Sequence, residues 1–401
     1  MPSPVTSDPR RLDVCLRCGF KALYIALLFF SLHWAVVLYI NSSYLEQFFS
    51  SRTVGTLYII GAFVTLSALF TVSNIIKKLG SIRLIATLTT IEAIALLGMA
   101  FTPSPYIALV LFIIHHAVVP LILFTLDMLM ESLIGNDESV TGIRRAIFLT
   151  IGSFTLALGT LVSALLIHDT TPHFAYAYML STALLGIFIT LLYRSFRKYK
   201  DASYPQLHIR DGIRTFWEHA DIRNVFFAQL LLQFFFAWMV IYTPIYLTTI
   251  IGFNWQEVGL ILFFALMAYV LLDYAIGYLA DTKYGEKEMM ALGFAIMGIS
   301  SAWFVLMHEG TFIGWVLLMF ATRVGAALVE TTSESYFFKH TQEKDTSVVG
   351  IFRSAQPIGY ILGPILGGTL LLFFPFSFIF VMLGGLMIPG LFFAMALHDT
   401  L

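Results

Sequence analysis

Apolar residues run along this chain in stretches of about 20, parted by short polar breaks. That is the length a helix needs to cross roughly 30 Å of hydrocarbon. Twelve such runs lie near 21–40, 54–76, 84–101, 105–134, 143–168, 173–193, 224–251, 257–280, 289–308, 311–338, 349–374 and 376–398, the last two split only by Pro375. Apolarity is nearly continuous within each run, without the two-residue alternation of a barrel strand, so the pattern predicts helices. Composition agrees: 59% of residues are hydrophobic, 12% are charged and the mean hydropathy is +0.85, whereas soluble domains carry about 25% charged residues. The expected class is an all-α integral membrane protein with 12 transmembrane helices. A net charge of −1 leaves no basic face for nucleic acid, so the lipid bilayer is the expected surrounding.

The cations orient the spans. With both termini on the cytoplasmic side, 21 of the 23 lysines and arginines fall in cytoplasmic segments, leaving Arg52 outside and Arg323 within a span. That asymmetry is the one insertion imposes. Residues 1–20, with Pro2, Pro4, Asp8 and Asp13, lack the uninterrupted apolar core of a signal peptide and read as a cytoplasmic tail. The longest polar stretch, 194–222, divides a first six-helix unit, 21–193, from a second, 223–401. A repeat supports the division: Asp137, Ser139, Val140, Gly142, Ile143 and Arg145 recur as Asp345, Ser347, Val348, Gly350, Ile351 and Arg353. Internal duplication at half the chain length is a pattern of secondary transporters. Cys15 and Cys18 form a C-x-x-C pair without the further ligands that zinc requires. Neither a metal nor a cofactor is expected.

Between spans eight and nine the chain reads Gly277-Tyr-Leu-Ala-Asp281-Thr-Lys283-Tyr-Gly285-Glu-Lys287. Gly277 allows another helix to approach, Asp281 marks a helix end, and Gly285 permits a tight turn. The segment resembles the loop motif of the major facilitator superfamily, with one extra residue before its second glycine. At the matching junction between spans two and three Gly80 and the cations are present, but Lys77 stands where the superfamily has its aspartate. Span eleven carries Gly359-Tyr-Ile-Leu-Gly363-Pro364-Ile-Leu-Gly367-Gly368, similar to a motif of the superfamily's antiporters but in the other half of the chain. The resemblance implies two pseudo-symmetric six-helix bundles that rock about a midplane site, with spans one, four, seven and ten lining it.

An ionisable group in the hydrocarbon core costs ~2.5–3.5 kcal/mol on insertion scales, so each needs a partner, water or a task. In span ten Arg323, Glu330 and Glu334 share one stripe at helical spacing, yet Arg323 and Glu330 are two turns, roughly 10 Å, apart. In span four His116, Pro120 and Asp127 share a face, with Glu131 a turn beyond, while His115 points elsewhere as a packing residue. Gln229 and Gln233 in span seven and His33 and Trp34 in span one are hydrogen-bonding and stacking groups suited to a solute. The expected solute cavity comprises His33, Trp34, His116, Gln229, Gln233 and Arg323. Asp127, Glu330 and Asp273 are candidates for carrying a coupling proton. Glu92, midway along a span placed at the periphery, has no assigned role.

Gly277, Asp281 and Gly285 with Arg144, Arg145 and Arg353 form the expected cytoplasmic gate, Asp281 lying against the start of span five. The expected function is secondary active transport of a small solute by a monomer with protons as coupling ion, or else facilitated diffusion or sodium coupling. No catalytic residues are expected, since no H-E-x-x-H, G-x-S-x-G or P-loop occurs in the sequence. A sensor or scaffold built on a transporter fold would have no need of the polar stripes.

Overall fold

A computed structural model describes residues 9–134, 138–167, 173–197, 199, 209–307, 310–340 and 346–398, and its described elements are helical with no strand. In a medium that offers no hydrogen bonds the backbone must satisfy itself, which a helix does locally. The helices are α1 (Pro9–Leu38), α2 (Asn41–Glu46), α3 (Ser51–Leu79), α4 (Ser81–Phe101), α5 (Pro105–Ile134), α6 (Glu138–Leu166), α7 (Ala175–Phe196) and α8 (Ile209–Glu218). The second half adds α9 (Ala220–Ile245), α10 (Trp255–Leu279), α11 (Glu286–Ala302), α12 (Phe312–His340), α13 (Thr346–Arg353), α14 (Ala355–Leu370), α15 (Phe378–Leu386) and α16 (Ile388–Met395). Ten helical stretches are long and apolar enough to cross a bilayer, and Thr150–Leu166 is a shorter apolar one. With α13–α14 as a broken span eleven, the twelve predicted spans are accounted for. Helix α8 is an extra, amphipathic element in the polar stretch between the halves.

Local signals explain where the helices start and stop. The Ser50 side chain accepts from the Thr53 N–H at the head of α3, and Asn254 and Glu257 cap α10 reciprocally. Gly80 and Gly285 end their helices at φ +83° and +79°, a region that side chains with a Cβ disfavour. Large apolar residues such as Phe63, Ile94, Tyr106, Leu165, Tyr274 and Phe392 are exposed around the outside. On a soluble protein that surface would be an aggregation hazard; here it is the surface for acyl chains.

In the first bundle α1 packs on α6 and α7, α4 on α5 and α7, and α3 on α5. In the second, α12 packs on α10 and α11, and α9 on α14. The bundles meet where α6 faces α10 and α3 faces α14. Because the spans alternate in direction, the start of α1 and the end of α16 lie at one end of the molecule, the terminal end. The seam is tight toward the opposite, far end: a Cβ built on Gly259 of α10 would lie 2.2 Å from the Ala164 Cβ of α6. Nearby, the rings of Phe174 and Trp255 meet edge to face at 5.7 Å.

Candidate functional site

Arg323 lies eleven residues into α12 and is 1% exposed. Its Nη2 donates to the Tyr39 hydroxyl of the opposite bundle at 3.3 Å. The guanidinium lies over the Phe235 ring of α9, 5.6 Å from its centroid. Its Nε has no partner, and no carboxylate among the described residues pairs with it. A guanidinium offers five N–H donors, so most of this one's capacity goes unused inside the protein.

Aromatic rings close the seam beside it. Tyr360 of α14 stacks on Tyr58 of α3 at 6.5 Å and lies 5.6 Å from His116 of α5. His116 also stacks on Phe112 at 5.7 Å, and its Nε2 is buried without a partner. Trp34 is half-buried. Gln229 is buried and accepts from the Ser333 hydroxyl at 2.9 Å, whereas Gln233 packs its backbone against Gly359.

Toward the terminal end the α12 stripe continues. Glu330 is half-buried, with no side-chain hydrogen bond or ion pair to any described residue. Asp273 of α10 accepts from the Thr331 hydroxyl at 3.4 Å. Glu334 pairs with Arg353 at 2.6 Å, and the half-buried Asp127 of the first bundle acts electrostatically on the same Arg353. Carboxylates and guanidiniums thus alternate from mid-span toward that end.

The structure redirects several expectations. His33 does not face the seam: it is fully buried within the first bundle, its Nδ1 bonded to the Phe30 carbonyl and its Nε2 3.8 Å from Glu92. Packing won here, because α7 covers that face of α1; the Ser181 hydroxyl donates to the His33 carbonyl. Glu92 turns inward from its peripheral span to meet His115 at 2.5 Å. Gly277 makes no close approach, since an added Cβ would meet only the Thr331 methyl at 3.8 Å. Asp281 pairs within its own bundle, with Lys339 at 2.7 Å. Its expected counterparts Arg144 and Arg145, together with the side chain of Glu131, lie outside the described side chains.

Lys339 also bonds Glu286, which is fully buried and accepts from the Ser335 hydroxyl at 3.1 Å. Asp281 is exposed while Glu286 is not, so the two carboxylates depend on Lys339 unequally. We expect Lys339→Met to destabilise by about 1–3 kcal/mol, because it takes the bonded cation from a buried carboxylate. Asp281→Asn removes only a solvated pair, typically worth under 1 kcal/mol. Thermal unfolding in detergent checks the order; equal losses would mean that Glu286 does not rely on Lys339.

Sequence reasoning missed Tyr39, Phe235, Tyr360 and Lys339. Aromatic residues are too frequent here, with 38 Phe and 18 Tyr, for any one to stand out. Lys339 carried a signal, a cation at the terminal end of the polar stripe in span ten.

The Major Facilitator Superfamily profile matches residues 225–400. Among solved structures, a crystal structure of the nucleoside transporter NupG shares 16% identity, with a TM-score of 0.74 over 94% of this chain and 98% of that one. A point mutant of NupG shares 17% identity, with a TM-score of 0.73 over 94% of this chain and 99% of that one. No curated protein matches the chain.

Proposed function

We propose that the chain is a major facilitator, a proton-coupled carrier of an organic anion: the Major Facilitator Superfamily profile matches residues 225–400, and the fold is like that of a solved transporter over 94% of the chain. The reading rests on Arg323: a buried guanidinium, at the junction of two bundles that must move apart, with no carboxylate among the described residues to neutralise it. A charge left in that state inside protein is costly unless an anion arrives to meet it. A carboxylate or phosphate suits the guanidinium's fork. The aromatic seam of Tyr58, His116 and Tyr360 supplies flat walls for the rest of the solute. Tyr39 and Arg323 hold the two bundles to a common point, which solute would take over on binding.

Glu330 is the first candidate for the coupling proton, followed by Asp127 and Asp273. Glu330 stands two turns from Arg323 with no basic partner in contact, so its charge state is free to change as the site wets and dries. Rocking of residues 21–193 against 223–401 about the 194–222 linker would expose the site to each side in turn. The distribution of lysines and arginines supports a cytoplasmic position for both termini. That the two structural neighbours are nucleoside transporters supports a small metabolite; Arg323 favours a charged one.

Two steps test the reading. The purified protein is screened by thermal shift against organic anions and uncharged nucleosides, and the best ligand is then followed into proteoliposomes. Anions should raise the Tm more than nucleosides, and uptake should accelerate under an imposed pH gradient, an acceleration that Glu330→Gln abolishes. Uptake indifferent to the gradient would discard proton coupling in favour of facilitated diffusion. A response to sodium alone would reassign the coupling ion.

A further inference from the structure

Five polar side chains form a chain through the dry interior of the first bundle, away from the seam. The Tyr178 hydroxyl of α7 donates to the Asn41 Oδ1 of α2 at 2.9 Å. The Asn41 Nδ2 meets the His115 Nε2 of α5 at 3.0 Å. The His115 Nδ1 meets the Glu92 Oε1 of α4 at 2.5 Å, and 3.8 Å beyond stands the His33 Nε2 of α1. Exposure is 0% for His33, Glu92 and Tyr178, 3% for His115 and 4% for Asn41. Among the described residues the other titratable groups facing it are Tyr44, whose ring meets Tyr178 at 5.1 Å, Tyr58, which acts electrostatically on Tyr178, and His116 beside His115. Among the described residues no Lys or Arg pairs with the group.

Hydrogen-bond chemistry sets the proton inventory. The Asn41 Oδ1 accepts, so its Nδ2 donates, and the His115 Nε2 must receive that bond as a bare nitrogen. His115 is then the neutral tautomer that donates from Nδ1 to Glu92. The Phe30 carbonyl can only accept, so His33 carries its proton on Nδ1 and its Nε2 is bare. The sum of these assignments is one carboxylate charge in a sealed core with nothing to balance it, an arrangement that proteins avoid by taking up a proton. The two atoms left without partners are the Glu92 Oε2 and the His33 Nε2, the places where a further proton can sit. Turning the Asn41 amide over moves that proton to the Glu92–His115 contact and leaves the count unchanged.

We propose that the His33–Glu92–His115 group is a proton-binding site in the first bundle, separate from the carboxylates of α12, and that its proton is what allows α1, α4, α5 and α7 to close around it. The site touches the seam through the chain itself, because His115 is followed by His116, whose ring lies against Tyr58 and Tyr360. Loss of the proton leaves a bare charge that must draw in water or push α4 from α1 and α5. The proposal holds whether or not transport is proton-coupled.

The sign of the effect follows from linkage. In the unfolded chain Glu92 faces water and is ionised at neutral pH, whereas the folded bundle keeps the proton. The folded state binds more protons, so stability falls as pH rises, by up to tenfold in the folding equilibrium per pH unit for one proton. Thermal unfolding of the full chain in detergent, from about pH 5 to 9, should show that decline above about pH 7, because below that His33 and His115 take up protons in the unfolded chain and reverse the slope. Glu92→Gln, a neutral isostere, should remove one proton's worth of slope while matching the wild type at low pH. His33→Gln keeps a donor toward Glu92 but cannot hold the proton, and should move the decline to lower pH. A slope unchanged in Glu92→Gln, or an unshifted profile in His33→Gln should the first variant fail to fold, overturns the proposal.

Discussion

Replacing Arg323 with glutamine should weaken solute binding by roughly 30- to 4,000-fold while leaving the empty protein as stable as before, or more so. Removing one partner of a buried charge pair costs about 2–5 kcal/mol of binding, and each 1.4 kcal/mol is tenfold. In the empty site, however, Arg323 has only the Tyr39 hydroxyl at 3.3 Å and the Phe235 face for company, with its Nε unpaired. A desolvated charge so poorly satisfied subtracts from stability, and deleting it costs the fold little. Arg323→Lys should recover only a small part of the affinity, because an ammonium has no planar fork with which to grip a carboxylate. The pair of readouts separates function from structure. Calorimetric titration with the strongest anion from the screen, set beside thermal unfolding, decides between them: a falling Tm with unchanged affinity would make Arg323 a strut between α12 and α1.

What the sequence revealed about this molecule, and what it withheld, follows from the range of the forces involved. Each span is set by its own residues' transfer from water to lipid, so a window of about 20 side chains suffices to find it. The breaks within the last two spans were not legible that way: α13 gives way to α14 at Ser354 and α15 to α16 at Met387, away from Pro375 and from the glycines of span eleven. Pairings between helices are another matter. Glu92 and His115 are 23 residues apart, on different spans, and meet at 2.5 Å; no periodicity within either helix tells that they face one another. On sequence alone Glu92 was a puzzle, His115 a packing residue and His33 part of the solute cavity. One contact network resolves all three, because a carboxylate that lipid would penalise turns toward the imidazoles that can neutralise it. Asp281 teaches the same lesson at the terminal end. Its loop motif suggested a partner across the seam, yet Lys339, one helix away in its own bundle, reaches it at 2.7 Å. Arg323 was found by composition, being a lone cation inside a span, but its neighbours Tyr39 and Phe235 needed the fold.

Gly259→Val should trap the carrier with its far end open, lowering transport about 5- to 150-fold while the solute still binds. Gly259 lies where α10 crosses α6 of the other bundle. A Cβ there would come within 2.2 Å of the Ala164 Cβ and 2.8 Å of the Thr160 carbonyl oxygen. Backbone cannot give way as a flexible side chain does, so the strain falls on the seam. Overpacking typically costs 1–3 kcal/mol, and a penalty borne by only one of two conformations shifts their ratio by the corresponding factor. Full reversal from 99:1 to 1:99 would need about 5.5 kcal/mol, so the variant slows the cycle without abolishing it. Gly159 supplies the control. Its Cβ would lie 2.3 Å from the Ala35 Cβ of α1, but α1 and α6 belong to one bundle, which moves as a unit. Gly159→Val should therefore lower the yield of folded protein and leave the balance of conformations among survivors unaltered. Spin labels on the far ends of α6 and α10 measure the separation directly: it should grow in Gly259→Val and stay as in the wild type in Gly159→Val. If both variants merely lose folded protein, the α6–α10 contact is a permanent part of the core, and the moving seam must be sought elsewhere.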